Sequence, residues 1–520
     1  ALESNRGIHE DRMKKRCFLF LISLLPLSPV LPQIHAESPH TRSGRVQTLR
    51  SALPVIHNIQ HVLDLAHHLP GLAFGVVLDS TLVCSGGIGY ADLSLKTPAT
   101  PQSLFRIASM TKSITAMAIL LLRDQGRLSL DDPAEKYIPE MKNLEYPVPD
   151  APRITIRHLL THTAGFPEDN PWGDRQLAVS DQQLLDMVKN GISFSNVPGV
   201  AYEYSNLGFA LLGRIIAVVS GQPYQEFVQT RILHPLAMNH SVWDYSQAPR
   251  DLLAWGYDWE GGQWIPIALL PDGAYAAMGG LITSIDDFSK YMVYHLSAWP
   301  PGANHGNSPV SAASLREMQQ PWIFNNLNAS FRYPDGRSSP LVSCYGYGLR
   351  WMKDGEGRVS LNHGGGLPGF GSQWRILPEY GIGVAAFSNR TYADLGAAND
   401  AVLDTCIALL GLSRRPTPVT AILQQRRDQL AALLPDWQVT EPDLFGDNFF
   451  LDQSIDTLRK TFHKLYAELG PVSGIGEMKA QNRLRGSFIV DGQKADLELT
   501  FTLTPQNPPR IQQLKWKLIR

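Results

Sequence analysis

Phe105-Arg106-Ile107-Ala108-Ser109-Met110-Thr111-Lys112 runs directly into the apolar segment Ile114-Thr115-Ala116-Met117-Ala118-Ile119-Leu120-Leu121-Leu122. This reads as a buried helix that closes at Gly126, with Ser109 and Lys112 at its start. Residues three apart share a helix face with roughly 5 to 6 Å between Cβ atoms, so a hydroxyl and an amine so spaced can meet. A serine at a helix N-terminus also has free backbone N–H groups and the positive end of the helix dipole beside it, and both favour a developing oxyanion. The stretch therefore holds the ingredients of a serine nucleophile with a lysine partner. Ser-x-x-Lys is a weak pattern by itself, because an N-cap serine followed by an exposed lysine reads the same. The remaining parts of a site have to be found elsewhere in the chain.

Composition narrows the search. The chain has 520 residues, 44% hydrophobic and 18% charged, which suits a globular protein of two or more domains with a large main core. Its 46 basic and 48 acidic residues leave a formal net charge of −2, so no global field attracts nucleic acid or an anionic membrane. The expected partner is a small-molecule or peptide acyl substrate, with oligomeric state left open. After Met13 come Lys14-Lys15-Arg16, an apolar run from Cys17 to Leu31 broken by Pro26 and Pro29, and then Ile34-His35-Ala36. This pattern predicts a secretory signal peptide cleaved near Ala36, with residues 1 to 12 upstream of it, and so a secreted or periplasmic protein without stable membrane insertion. A membrane anchor would need about 20 apolar residues and tolerates mid-run prolines poorly. Outside that segment lie Cys84, Cys344 and Cys406, an odd count that argues against a disulfide framework while leaving one pair open. No C-x-x-C or H-E-x-x-H spacing occurs, so the expected mechanism uses neither metal nor cofactor.

Taken in order, residues 53 to 69 have helical spacing ended by Pro70-Gly71, and strands Leu72 to Leu78 and Thr81 to Val83 follow around the turn Asp79-Ser80. Ile154 to Gly165 reads as a short helix and loop, and helices run within Gly199 to Ser220 and from Asp286. Between Ser297 and Ser339 the chain is rich in Pro, Gly, Asn and Ser, which predicts a long surface excursion or lid. Strand signals recur at Gly346 to Trp351, Ser372 to Leu377 and Gly381 to Phe387, before a helix from Asp400 to Leu412. Strands at both ends with helices between predict an α+β domain over 37–413: an antiparallel sheet whose N- and C-terminal strands meet, flanked by helices, with a helical subdomain. Arg414-Arg415-Pro416-Thr417-Pro418 opens a linker over 414–429. Residues 430–520 then read as a small α+β domain, an apolar helical stripe (Ile455, Leu458, Phe462, Leu465, Leu469) followed by a meander of about three strands. That pattern is similar to nuclear-transport-factor-2-like or cystatin-like modules.

Two further stretches complete a candidate site. In Tyr204-Ser205-Asn206 a tyrosine beside a lysine ammonium can have its pKa lowered and pass a proton from the serine to a leaving group, while Asn206 can donate to a substrate carbonyl. Lysine and tyrosine would titrate as a unit, so the base is assigned to neither alone. In Asn362-His363-Gly364-Gly365-Gly366, where a strand should end, glycines let a substrate lie against the strand, and the Gly366 N–H can pair with that of Ser109 as an oxyanion hole.

In this order the three stretches resemble the serine β-lactamase and penicillin-binding-protein-like superfamily, in its branch of class C β-lactamases, family VIII carboxylesterases and D-aminopeptidases. The resemblance covers roughly residues 50 to 412. Leu128 to Pro133, Leu159 to Phe166, Pro198-Gly199 and Tyr345-Gly346-Tyr347-Gly348 support it outside the motifs. It implies Ser109 as nucleophile, Lys112 and Tyr204 as proton handlers, and Asn206, His363, Gly364, Gly365 and Gly366 as the substrate and oxyanion side of the cleft. The family's third motif usually reads Lys-Thr/Ser-Gly, where His363-Gly364-Gly365 stands here. A neutral histidine and a glycine would hold an anionic substrate more weakly. The expectation is thus an esterase or peptidase working through an acyl-enzyme. The alternatives are a class C-like β-lactamase or DD-peptidase, and a non-catalytic protein that binds penicillin or cell-wall peptides.

Overall fold

The computed structural model describes residues 41–301, 309–434, 437, 443–452 and 454–519. The expected signal segment lies outside them.

The organising strand is Gly71–Leu78, buried along its whole length. Period-two alternation sends Ala73 and Val77 to one face of the sheet, and Leu72, Phe74, Val76 and Leu78 to the other, so the strand needs cover on both sides. It pairs antiparallel with Thr81–Asp92 around the Asp79-Ser80 turn, and on its other edge with Ile382–Ser388. The N- and C-terminal strands therefore meet as the sequence implies. The complete sheet has nine antiparallel strands. Across it lie Thr97–Pro98, Thr81–Asp92, Gly71–Leu78, Ile382–Ser388, Phe370–Leu377, Val359–Leu367, Arg350–Asp354, Ser338–Tyr345 and Ile323–Arg332. The larger core packs helices Thr111–Asp124, Asn206–Ser220 and Ile285–Ser297 on one face. A smaller core on the opposite face joins helices Arg42–Ser51, Leu53–His67 and Gly396–Leu410.

Several elements differ from their sequence reading. Ser109 sits on a single tight turn, Ala108–Met110, and the regular helix begins only at Thr111. The segment from Ser297 to Ser339 holds a helix, Ala312–Met318, and the edge strand Ile323–Arg332. As an edge strand, mostly exposed, it needs no apolar alternation, and its asparagines read as loop. His363 through Gly366 lie inside the strand Val359–Leu367, which glycines disguised.

In the C-terminal part, helix Ala421–Leu433 buries Leu423 and Leu430 in one core with Leu458, Phe462, Phe488 and Leu499. Most of that helix falls in the stretch read as linker. Its sheet has five strands: Val472–Ile475, Lys479–Asn482, Arg485–Gly492, Asp496–Leu503 and Ile511–Ile519. Cys84, Cys344 and Cys406 are all free and buried. Among the described residues no single helix is long and apolar enough to cross a membrane.

The glycine-rich strand is where the sheet touches the Ser109 turn. A Cβ on Gly365 would sit 2.3 Å from the Ile107 carbonyl oxygen and 2.4 Å from Ser372 Oγ, which itself donates to that carbonyl at 2.7 Å. A Cβ on Gly364 would come no closer than 3.4 Å to anything but its chain neighbours. Gly365→Ala is therefore expected to cost about 1–3 kcal/mol, a thermal shift of several degrees, whereas Gly364→Ala leaves the melting temperature nearly unchanged. Thermal unfolding of the two variants side by side checks this, and equal shifts would refute the close contact.

Candidate active site

The turn that carries Ser109 is held in an unfavourable backbone. Ala108, just before the nucleophile, lies at φ +50, a left-handed conformation that side chains other than glycine's rarely adopt. Packing of the glycine strand and the Ser372 hydrogen bond hold the turn there. The result is a Ser109 that is largely buried yet lines a cavity of about 630 Å³.

Lys112 reaches back from the first turn of the following helix and is completely buried. Its Nζ has three neighbours: Ser109 Oγ at 3.0 Å, Asn206 Oδ1 at 2.7 Å and the Met278 carbonyl oxygen at 2.9 Å. As an ammonium it donates to all three. As a neutral amine its two N–H groups stay with Asn206 and Met278, and the lone pair faces Ser109. Burial lowers its pKa to about 7, against the pull of Asp174, Asp169 and Glu168. Near neutral pH this amine can exist in either form, which suits a general base.

Tyr204 does not behave as the sequence suggested. It is fully buried, with Lys112 Nζ 4.8 Å from its ring centre and Ser109 as its hydrogen-bonding neighbour. Burial raises its ionisation well above the usual tyrosine range, because desolvation outweighs the nearby charges. Tyr204 is thus a neutral hydroxyl at neutral pH, and of the two groups Lys112 is the one whose pKa lies near 7. His162 packs against the Tyr204 ring at 4.4 Å and accepts a hydrogen bond from the Ser205 N–H at 3.1 Å, which fixes the tyrosine's approach. Burial, helped by the positive charges of Lys112 and Arg350, keeps His162 neutral.

Asn206 also takes a different role. It is fully buried, its Oδ1 accepts from Lys112, and its Nδ2 donates to Asn170 Oδ1 at 2.6 Å with Asp174 Oδ1 3.4 Å away. With both amide atoms engaged, it orients the lysine and has no free donor for a substrate. His363, Gly364 and Gly366 line the cavity with Ser109 and Tyr204, and Gly365 lies behind them against Ile107. His363 is buried and shares a 2.9 Å hydrogen bond with Tyr345. Burial, helped by the charges of Arg350 and Lys112, lowers its pKa to about 3, so it carries no charge at pH 7.

Arg350 is the residue that sequence reasoning missed. It opens the strand Arg350–Asp354, pairs in register with Asn362, and lines the cavity. Among the described residues no carboxylate forms an ion pair with it, and the groups that act on it electrostatically are Tyr202, Tyr345, Tyr204 and Glu168, whose carboxylate lines the same cavity. Nothing in its residue type or spacing marked it in the sequence, and only the pairing of its strand with Val359–Leu367 brings it to the cavity. Asp174 and Tyr392, from opposite walls, also line the cavity. Among the described residues no group of three or more His, Cys, Asp or Glu side chains could hold a metal ion.

This arrangement of serine, buried lysine, tyrosine and glycine-rich strand on a helix-flanked antiparallel sheet defines the serine β-lactamase and penicillin-binding-protein-like fold. The beta-lactamase family model matches residues 55–407, and the chain belongs to that family. It is 28% identical over 382 residues to protein flp of Staphylococcus aureus, covering 71% of this chain and 69% of that one. To penicillin-binding protein 4* of Bacillus subtilis it is 29% identical over 291 residues, 54% of this chain and 60% of that one. The octameric penicillin-binding protein homologue of Pyrococcus abyssi shares the fold, with a TM-score of 0.57 and 22% identity over 90% of this chain and 99% of that one.

If Lys112 is the base, it acts in its neutral form, which gains population as pH rises through about 7. Acylation of Ser109 should therefore rise with pH and level off above that midpoint. Tyr204→Phe should keep the acidic limb but slow acylation by roughly 10²- to 10⁴-fold, the range for one proton-transfer group. Single-turnover acylation rates across pH 5 to 9 would reveal a limb set by another group if this assignment is wrong.

Proposed function

We propose that the protein is a serine hydrolase that works through an acyl-enzyme on ester, amide or peptide bonds. The observation that carries this reading is the 3.0 Å contact between Ser109 Oγ and a buried Lys112 whose other two acceptors leave a lone pair for the serine proton. Ser109 attacks the carbonyl, Lys112 takes its proton, and Tyr204 passes a proton to the leaving group. The N–H groups of Ser109 and Gly366 hold the oxyanion, and water then releases the acid. On this reading the chain acts outside the cytoplasm, as its signal-like N-terminal segment suggests.

Arg350 sharpens the substrate class. His363 supplies no charge, but a guanidinium in the cleft that has a tyrosine neighbour and no ion pair among the described residues is the group best suited to a carboxylate. The favoured acyl donor is thus a peptide, or a peptide-like ester or amide, with a free carboxylate close to the scissile bond. The names of two similar proteins, which describe penicillin binding, fit such a donor. An efficient β-lactamase ranks lower, because Gly364 lacks the hydroxyl that the usual third motif offers.

The test is to follow Ser109 by intact-protein mass spectrometry while turnover is measured on nitrocefin, p-nitrophenyl butyrate, D-aminoacyl p-nitroanilides and a D-peptide in free-acid and amidated forms. Acylation should be lost in Ser109→Ala, and the free-acid peptide should outperform its amide. Arg350→Ala should raise KM for the free acid roughly 10- to 100-fold, as expected for one charged hydrogen-bond partner, and leave the amide unaffected. Rapid nitrocefin turnover with none on esters or peptides would overturn the substrate ordering. A folded protein never acylated by any donor would overturn the hydrolase reading.

A further inference from the structure

Asp174 is a buried carboxylate that feels the charges of Lys112 and Arg175 without forming an ion pair with either. It is 2% exposed, on the short turn Gly173–Arg175, and among the described residues no Lys, Arg or His forms an ion pair with it. Both of its partners are side chains. Its Oδ2 accepts from the Tyr392 hydroxyl at 3.0 Å, and its Oδ1 faces the Asn206 Nδ2, 3.4 Å away, on the amide that holds Lys112. The two other carboxylates near Lys112 are tied down locally. Asp169 accepts the backbone N–H groups of Asn206 and Leu207 at 2.7 and 2.8 Å, and Glu168 accepts from Asn170 Nδ2 at 2.7 Å. The remaining titratable groups around the lysine are Tyr204, His162 and His363, all buried and uncharged at neutral pH, with the Arg350 guanidinium beyond them.

Tyr392 comes from the opposite wall, on the loop that follows the Ile382–Ser388 strand. Its ring lies on Gly366, where an added Cβ would meet it at 2.6 Å, so the glycine makes room for the tyrosine. Its backbone is left-handed at φ +51, and it is 43% exposed. It therefore spans the cleft, from the proposed oxyanion strand to the carboxylate behind Asn206. A second cavity of about 720 Å³ shares Tyr392, Arg350, Gly364 and Gly366 with the first, so the tyrosine stands where the two spaces meet.

We propose that Tyr392 is a latch across the cleft and Asp174 the positioning residue it engages, so that closing or displacing Tyr392 sets the orientation of Asn206 and the counter-charge felt by Lys112. This rests on the roles of Ser109 and Lys112 given above. With the latch closed, the Tyr392 hydroxyl favours ionised Asp174, and ionised Asp174 favours the Lys112 ammonium. Tyr392 keeps its own proton, since burial and Asp174 push its ionisation up to about 12. An acyl donor that displaces the ring removes one hydrogen bond from Asp174. Asp174 then holds a proton more readily, and Lys112 releases its own more readily. Substrate entry thereby frees the base.

The experiment measures the pH dependence of Ser109 acylation in wild type, Tyr392→Phe, Asp174→Asn and the double variant, using p-nitrophenyl butyrate and an intact-mass readout. Asp174→Asn should move the acidic limb to lower pH by about one unit, the scale of losing one nearby opposite charge. Tyr392→Phe, which keeps the ring at a half-exposed site, should move it the same way by less, and should add nothing in the Asp174→Asn background. Loss of activity at all pH values with an unmoved limb would show a merely structural role and overturn the latch. So would a Tyr392→Phe shift that persists without Asp174. Were Asp174→Asn to fail to fold, an unmoved limb in Tyr392→Phe alone would overturn it. A wild type that is never acylated would instead sink the hydrolase reading, and this inference with it.

Discussion

The cleft is built around one buried amine. A lysine enclosed in apolar surroundings without partners titrates near pH 5 to 6. Here the charges of Asp174, Asp169 and Glu168 work against burial, and Lys112 stands at about 7. Its three acceptors come from three places in the chain: the Ser109 turn, the start of the Asn206–Ser220 helix and the short helix Ala276–Gly279. A buried charge left without partners costs several kcal/mol, so these three elements have to pack together around the amine. The same requirement that makes Lys112 a usable base also sets how the helical side of the domain is assembled.

On the sheet side the controlling constraint is space. Gly365 lets the strand close to the Ile107 carbonyl, and Gly366 leaves room for the Tyr392 ring. Charge for recognition cannot come from that strand, because His363 is buried and neutral. On the proposed reading it comes from the next strand, where Arg350 is the register partner of Asn362. The division is physically sensible: a residue that must sit tightly against the nucleophile is poorly placed to stay charged, and a neighbour set further back can do so.

How much of this was legible depended on whether a signal was local. The meeting of Ser109 and Lys112 was legible because the two lie three apart, Tyr204 was picked out by its Tyr-x-Asn pattern, and the sheet closing through Gly71–Leu78 and Ile382–Ser388 followed from strongly apolar strands. Three things were hidden. The strand Val359–Leu367 is glycine-rich where it matters, and the edge strand Ile323–Arg332 is exposed and rich in asparagine, so neither shows apolar alternation. The direction of the Tyr204 shift depended on burial, which outweighed the charge effect that spacing suggested. Arg350, Asp174 and Tyr392 belong to the site only through pairing and loop placement, and a single sequence gives no sign of either.

The burden of folding and the burden of chemistry fall on different atoms. The Ser109 hydroxyl is one of three acceptors around Lys112, and the other two, Asn206 and Met278, continue to hold the amine if the hydroxyl is removed. Ala108 and Gly365 are the reverse. Neither has a side chain that can react, yet one holds a left-handed backbone and the other tolerates no added carbon. Strain at Ala108 persists only while the glycine strand and Ser372 press on the turn from the sheet side. The position of Ser109 thus depends on the strands Val359–Leu367 and Phe370–Leu377, which lie far along the chain from the turn they hold.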